Sequence, residues 1–442
     1  MLRVERESTL SFIAALVAAV VAVTCHRGSR LDVPAAAADP SGRATPAASP
    51  PRTVAQAPSS LPAALASYAP SAKSPPPLAL ERFYRALEAL EAKTSAEHVR
   101  VVWYGDSHTA ADYFTGAVRR RLEARFGAGG PGFVRVGTSP YRHDGVRVIR
   151  DGKWKILPEP PSRRTLEGDG IFWLGGLLAQ PVNKEARVEI RVDPKRVRGS
   201  LRYGLVYQPK AGASFRLGIG KKVETVDART PADKISESGL VRLRREGASG
   251  DKLEIALTTG EVRFAGLVAE GTEPGVVLDT IGIDGARAAT PLAWNADAFS
   301  ADVAARKPEL VVFAFGTNEA FDARSADAIV GELGELVGRA RRGAPNADCL
   351  IVGPPDAAAP DLTSMPRVVE LDAAERRAAE TYGCGYFSLF QAMGGANGFS
   401  RWMREIPPLA RVDRIHLTIG GYERLGDVLA AALIESYEAR AR

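Results

Sequence analysis

Five residues of this chain have the types and settings to do chemistry together. Ser107 sits in Gly105-Asp106-Ser107-His108, and Asn318 in Gly316-Thr317-Asn318-Glu319. Gly285 sits in Asp284-Gly285-Ala286, and Asp413 and His416 stand three apart in Asp413-Arg414-Ile415-His416. Cleaving an acyl ester through a covalent intermediate needs a nucleophile, a base to deprotonate it, a group to orient the base, and donors for the developing oxyanion. A serine, a histidine, an aspartate, and an amide side chain with loop N–H groups supply all four. Metal and phosphate chemistry find less support. The three cysteines, Cys25, Cys349 and Cys384, lack metal-ligand spacing. Gly127 to Gly132 spells G-x-G-x-x-G, but it follows a helical pattern and precedes a strand-like one. That is the reverse of the order a dinucleotide site needs, so the segment reads as a helix stop and a loop.

The elements around these residues explain how they could meet. Val99 to Tyr104 is a short β-rich run that ends abruptly at the Ser107 turn. Phe114, Val118, Leu122 and Phe126 then recur every four residues, so a helix follows. Strand, tight turn with serine, helix is the geometry that presents a nucleophile at the carboxyl end of a parallel strand. Gly285 follows a strand-like run at 277–283. Asn318 follows Leu310 to Phe315, an uninterrupted apolar run of the kind buried on both faces. Helical patterns over 79–93, 326–341, 365–382 and 419–440 alternate with strand-like runs at 350–352 and 385–389, which predicts a parallel sheet with helices on both faces. Between 141 and 276 the texture changes. Segments such as Ala186 to Val192, Leu201 to Tyr207 and Leu253 to Leu257 alternate with period two, and helical patterning nearly vanishes. An inserted all-β, sandwich-like domain is expected there.

The loops, taken in order, resemble the SGNH (GDSL-like) hydrolase family. Gly105-Asp106-Ser107 is similar to its first block, Asp284-Gly285-Ala286 to its second, Gly316-Thr317-Asn318-Glu319 to its third and Asp413-Arg414-Ile415-His416 to its fifth. The resemblance covers roughly 97–138 and 277–442. It implies a flavodoxin-like α/β/α sandwich, here interrupted by the β insert. It further implies Ser107 as nucleophile, His416 as base, Asp413 as its orienting group, and an oxyanion hole from Ser107, Gly285 and Asn318. Neither a metal nor a cofactor is implied. One residue departs from the family pattern: His108 stands where a leucine is usual. Gly-Asp-Ser-His followed by Thr109 to Gly116 is similar to the peptidoglycan O-acetylesterase branch, which also carries a β insert and an export signal. The implied activity is O-deacetylation of an acylated envelope glycan. An O-acyltransferase using the same site and a catalytically silent glycan-binding protein are the alternatives. His108 and Trp402 are the candidate substrate contacts, with packing as the other reading of each. Asp106 is read as stabilising the turn, His143-Asp144 as a loop at the insert boundary, His98 as a surface residue, and Trp173 and Trp294 as core.

The 442 residues carry 58 basic and 52 acidic side chains, a net charge of +6. The basic runs at Arg119 to Arg121, Arg163-Arg164 and Arg242 to Arg245 are short, so they read as solvated faces and no nucleic-acid partner is expected. Leu10 to Thr24 is an apolar run shorter than the ~20 residues of a full span. Residues 1–25 are therefore expected to be a signal peptide or an N-terminal anchor, and they would be the chain's sole link to a membrane. Residues 26–78, rich in Pro, Ala and Ser, read as a disordered linker. Residues 79–140 and 277–442 would form the catalytic domain on either side of the insert, exported to the periplasm or cell envelope. Two separate buried thiols at Cys349 and Cys384 are favoured over the single disulfide an oxidising compartment would permit.

Overall fold

The computed structural model describes residues 80–164, 169–229, 233–234 and 239–440. The expected leader (1–25) and linker (26–78) lie outside them. Five strands make a parallel sheet: β1 (Val99–Gly105), β2 (Val276–Gly282), β3 (Leu310–Ala314), β4 (Asp348–Gly353) and β5 (Gly385–Ser388). Their order is β2-β1-β3-β4-β5, the flavodoxin-like arrangement. The central strands are apolar almost throughout because helices cover both faces. In β1, Val102 and Tyr104 point into one core, while Val99, Val101 and Trp103 point into the other. The helices α1 (Glu81–Glu91), α3 (Phe114–Phe126) and α7 (Ile419–Arg440) bring Phe83, Leu122 and Leu429 to the second core. The helices α4 (Ala296–Arg306), α5 (Ala326–Gly343) and α6 (Pro366–Tyr382) bring Phe299, Leu333 and Leu371 to the first. Each such side chain stabilises the fold by about 1.5–3 kcal/mol through burial.

The register sets the site. Gly105 at the end of β1 pairs with Gly282 of β2 and with Ala314 of β3. The three loops that follow therefore emerge at one level. β1 and β3 flank the point where the strand order reverses, and such a sheet binds its ligands in that crevice. The short helix α2 (Ser107–Ala110) presses directly onto the strand ends. A Cβ at Gly105 would lie 2.2 Å from Thr109 Oγ1, and one at Gly282 would lie 2.2 Å from the backbone nitrogen of Ala110. Glycine at both positions is what lets the nucleophile turn sit this close to the sheet.

Between α3 and β2 the chain forms two antiparallel sheets, one of seven strands and one of five. In Arg187–Val192 exposed and buried residues alternate, with Val188, Ile190 and Val192 inward. These join Phe215 and Ile255 of the smaller sheet and Leu205, Phe264 and Leu267 of the larger one in a shared core. The first strand of the region, Gly132–Val134, comes ahead of the expected boundary at 141 and pairs with Arg263–Gly271. The β region and the parallel sheet belong to one compact unit. Glu270, on the last inserted strand, accepts from Arg306 of α4 at 2.8 Å and from Arg100 of β1 at 3.0 Å, while Arg306 also donates to Asp279 of β2.

Three expectations are corrected here. Cys349 and Cys384 form a disulfide with a Cα–Cα separation of 4.8 Å, in place of two thiols. Leu350 pairs with Gly385 across β4 and β5, so the preceding residue of each strand lies beside the other. His98 is buried, with Nε2 against the carbonyl of Gly271 at 2.9 Å. Arg119 is fully buried, whereas its neighbours Arg120 and Arg121 are partly exposed. Its guanidinium donates to both carboxylate oxygens of Asp112, at 2.8 and 3.1 Å, and to Thr280 Oγ1 at 2.6 Å. His143, in the loop expected at the insert boundary, is buried against the same Asp112 carboxylate at 3.4 Å. This network fastens the segment after the nucleophile turn to β2 and to the start of the insert.

Candidate active site

Asp106 caps α2: its side chain accepts from the N–H of His108 at 2.9 Å. Burial, together with the neighbouring Glu319, raises its pKa to about 7, although the His108 N–H bond works the other way. Ser107 occupies the first helical position, where backbone N–H groups have no intrahelical partner. Its Oγ lies 3.0 Å from His416 Nε2. His416 Nδ1 lies 3.2 Å from Asp413 Oδ2. The other carboxylate oxygen, Oδ1, accepts from the N–H groups of His416 (2.8 Å) and Ile415 (3.0 Å). Partial burial opposes ionisation of Asp413, but these N–H groups and the His416 ring outweigh it and hold its pKa below the ordinary value. The Asp-x-x-His spacing thus does two things. It closes a turn around the carboxylate, and it sets the imidazole between that carboxylate and the serine.

The donor loops are cross-braced. Asn318 Nδ2 donates to the carbonyl of Ala286 at 2.9 Å, tying the loop after β3 to the loop after β2. Glu319, fully buried, accepts from Ala288 N at 2.7 Å and from Gly316 N at 3.0 Å, which ties the same two loops a second time. Ser107, Gly285, Asn318 and His416 line one pocket of about 800 Å³. Such a constellation can deprotonate a hydroxyl, hold the resulting imidazolium, and donate to an oxyanion. Among the described residues, no group of three His, Cys, Asp or Glu side chains is placed to hold a metal ion.

Two candidate substrate contacts do not reach this pocket. Trp402 is 1% exposed and packs in the core beneath α7, with Arg424 over its ring. His108 is buried behind His416, with ring centroids 5.4 Å apart, and its Nδ1 lies 3.0 Å from the hydroxyl of Tyr422. At the first position after the serine of α2, its side chain turns under the site. Burial and the neighbouring His416 depress its pKa from 6.5 to about 3. A histidine kept neutral in the fold stabilises fully above the unfolded pKa, and that stabilisation is lost as pH falls through the range between the two values. Between pH 7 and pH 5 the protein is therefore expected to lose about 2 kcal/mol more than a His108→Gln variant. Urea unfolding at the two pH values measures this; equal losses would show that His108 takes up its proton in the folded state.

Sequence reasoning missed three contributors. Phe321 and Tyr422 line the pocket, and the inserted region touches the Gly285 loop through Ser162. The side chain of Ser162 lies where a Cβ on Gly285 would be in contact at 3.5 Å, and its carbonyl accepts from Thr290 Oγ1. Phe321, two residues past the Gly-Thr-Asn-Glu block, is the one whose position could have flagged it.

The GDSL-like lipase/acylhydrolase family matches residues 248–424. That span holds Gly285, Asn318, Asp413 and His416. Ser107 lies ahead of it, across the insert, and meets it through the contact with His416. A solved peptidoglycan O-acetylesterase, captured in action at 5 min, is 26% identical, with 81% of this chain and 96% of that one covered at a TM-score of 0.68. Over residues 248–424 the chain is similar to the GDSL-like lipase/acylhydrolase family, carboxylic ester hydrolases of the SGNH type. An active-site mutant of a family two carbohydrate esterase from Clostridium thermocellum is 11% identical over 65% of this chain and 98% of its own, at a TM-score of 0.28. An acetyl xylan esterase is 16% identical over 36% and 81%, at 0.29. At those scores no property of this chain is taken from either. No curated protein sequence matches the chain.

Proposed function

We propose that this protein is an exported serine esterase that removes O-acetyl groups from a cell-envelope glycan, with peptidoglycan as the favoured substrate. The observation that carries the reading is the contact chain Ser107–His416–Asp413 beside Gly285 and Asn318, in a chain similar over most of its length to a peptidoglycan O-acetylesterase. In this mechanism Ser107 Oγ attacks the acetyl carbonyl while His416 Nε2 takes its proton. The carbonyl oxygen becomes an oxyanion held by the N–H groups of Ser107 and Gly285 and by the Asn318 amide. His416 returns the proton to the sugar oxygen as the C–O bond breaks, leaving acetyl-Ser107 and a free sugar alcohol. Water, deprotonated by His416, then attacks the acyl-enzyme, and His416 returns that proton to Ser107 Oγ as the acyl bond breaks and acetate leaves. Asp413 keeps the imidazole oriented and stabilises its charged form.

Export is part of the proposal. It is supported by the apolar run at 10–24, and by the Cys349–Cys384 disulfide, a bond that persists in oxidising compartments. The test pairs chromogenic esters of increasing acyl length with O-acetylated peptidoglycan, measuring acetate release. Acetate is expected to be the preferred acyl group on both, with free acetate as product. Transfer of the acetyl group to an added sugar acceptor in place of release would make the protein an acyltransferase. Binding without turnover of any ester would make it a silent glycan-binding protein.

A further inference from the structure

Trp402 is buried, but the pocket does present an aromatic ring to solvent. Phe321 lies on its wall and is 56% exposed, although Glu319, two residues earlier, is fully buried. Ile419 of the same pocket is 51% exposed as well, and apolar side chains left open together in a functional cleft mark a binding surface. The turn that carries Phe321 is also held in place. Oδ2 of the next residue, Asp322, accepts from three arginines: Arg164 at 3.3 Å, Arg287 at 3.0 Å and Arg324 at 2.6 Å. Arg287 donates in addition to the carbonyl of Gly285 at 3.1 Å. Arg164 comes from the inserted region, two residues after Ser162, which sits against Gly285. Asp322 therefore anchors the Phe321 turn to the Gly285 loop and to the insert at once.

An exposed ring on the wall of the pocket that holds Ser107 suits the apolar face of a pyranose. The sugar C–H groups pack on the ring, and the anchored turn leaves little backbone freedom to be lost on binding. It suits an acyl tail poorly, since a tail would be enclosed by apolar walls and would leave no such exposure. We propose that Phe321 is the platform on which the sugar bearing the ester stacks, and that the inserted region builds this subsite through Arg164 and Ser162. The proposal rests on the glycan-ester reading above.

The test compares wild type, Phe321→Ala and Phe321→Trp, as full-length chains. Each is assayed with an O-acetylated chitooligosaccharide and with 4-nitrophenyl acetate, and binding of unacetylated tri-N-acetylchitotriose to each variant is measured in a Ser107→Ala background. Phe321→Ala is expected to lower kcat/KM on the oligosaccharide by about ten-fold more than on the small ester, through KM, and to weaken fragment binding about ten-fold; Phe321→Trp should restore both. Equal losses on the two substrates, or unchanged fragment affinity, would overturn the platform alone. A wild-type enzyme that cleaves 4-nitrophenyl acetate but no glycan ester would overturn the glycan reading, and the platform with it.

Discussion

Ser107→Ala is expected to lower kcat for ester hydrolysis by about 10⁴–10⁶-fold, and His416→Ala by a similar factor. The double variant should be no slower than either single one. The reason is geometric. The serine hydroxyl is a weak nucleophile until His416 Nε2, 3.0 Å away, takes its proton. Without the base the hydroxyl gains little, and without the hydroxyl the base has nothing to activate. What remains comes from the oxyanion donors and from binding, which neither substitution touches. Asp413→Ala should cost less, because the ring of His416 keeps its place in the pocket wall while losing the carboxylate that fixes its tautomer. Steady-state kinetics on 4-nitrophenyl acetate, with acyl-enzyme trapping by mass spectrometry, measure all of this. Losses that multiply in the double variant would mean that Ser107 and His416 act independently, and the contact between them would have no catalytic meaning.

How far the sequence foretold this arrangement depends on whether a signal was local. β1, the Ser107 turn and α3 were legible because an apolar run, a break and a four-residue recurrence lie side by side in the chain. The helix expected over 419–440 is α7, and the buried run before Asn318 is β3. The period-two segments of the middle region became antiparallel strands for the same reason. Contacts between distant elements left weaker traces. The disulfide depends on β4 lying beside β5 in a given register, which neither cysteine's own surroundings reveal. Arg119 looked like one member of a solvated basic run. Yet Thr115 lies four residues before it on α3, a helical spacing that puts a hydroxyl and the guanidinium on one face, with the acid Asp112 in the turn just ahead, and that signal was readable. His108 and Trp402 show the limit of residue type as a guide. Both have the chemistry of a substrate contact, and packing decides otherwise. The contact of the insert with the Gly285 loop had no sequence trace at all, since Ser162 and Gly285 meet only through the fold.

Asn318→Ala is expected to reduce kcat by about 10²–10³-fold with KM little changed, the signature of a donor whose bond strengthens at the tetrahedral stage. The side-chain amide has two N–H groups. One is spent on the carbonyl of Ala286, which fixes the plane of the amide. Among the described residues the amide donates to Ala286 alone, so the second N–H remains for the pocket that Asn318 lines with Ser107 and Gly285. Removing the amide should leave the two loops in place, because Glu319 still bridges Gly316 and Ala288 from its buried position. The variant should therefore fold with a similar Tm while losing turnover. That combination separates the proposed role from a bracing one, in which the amide serves only to hold the Ala286 loop. A bracing residue would show its loss first in stability, and the kcat of the folded variant would fall little. A rise in KM at constant kcat would instead place Asn318 against the ground-state ester, leaving the N–H groups of Ser107 and Gly285 to carry the oxyanion alone.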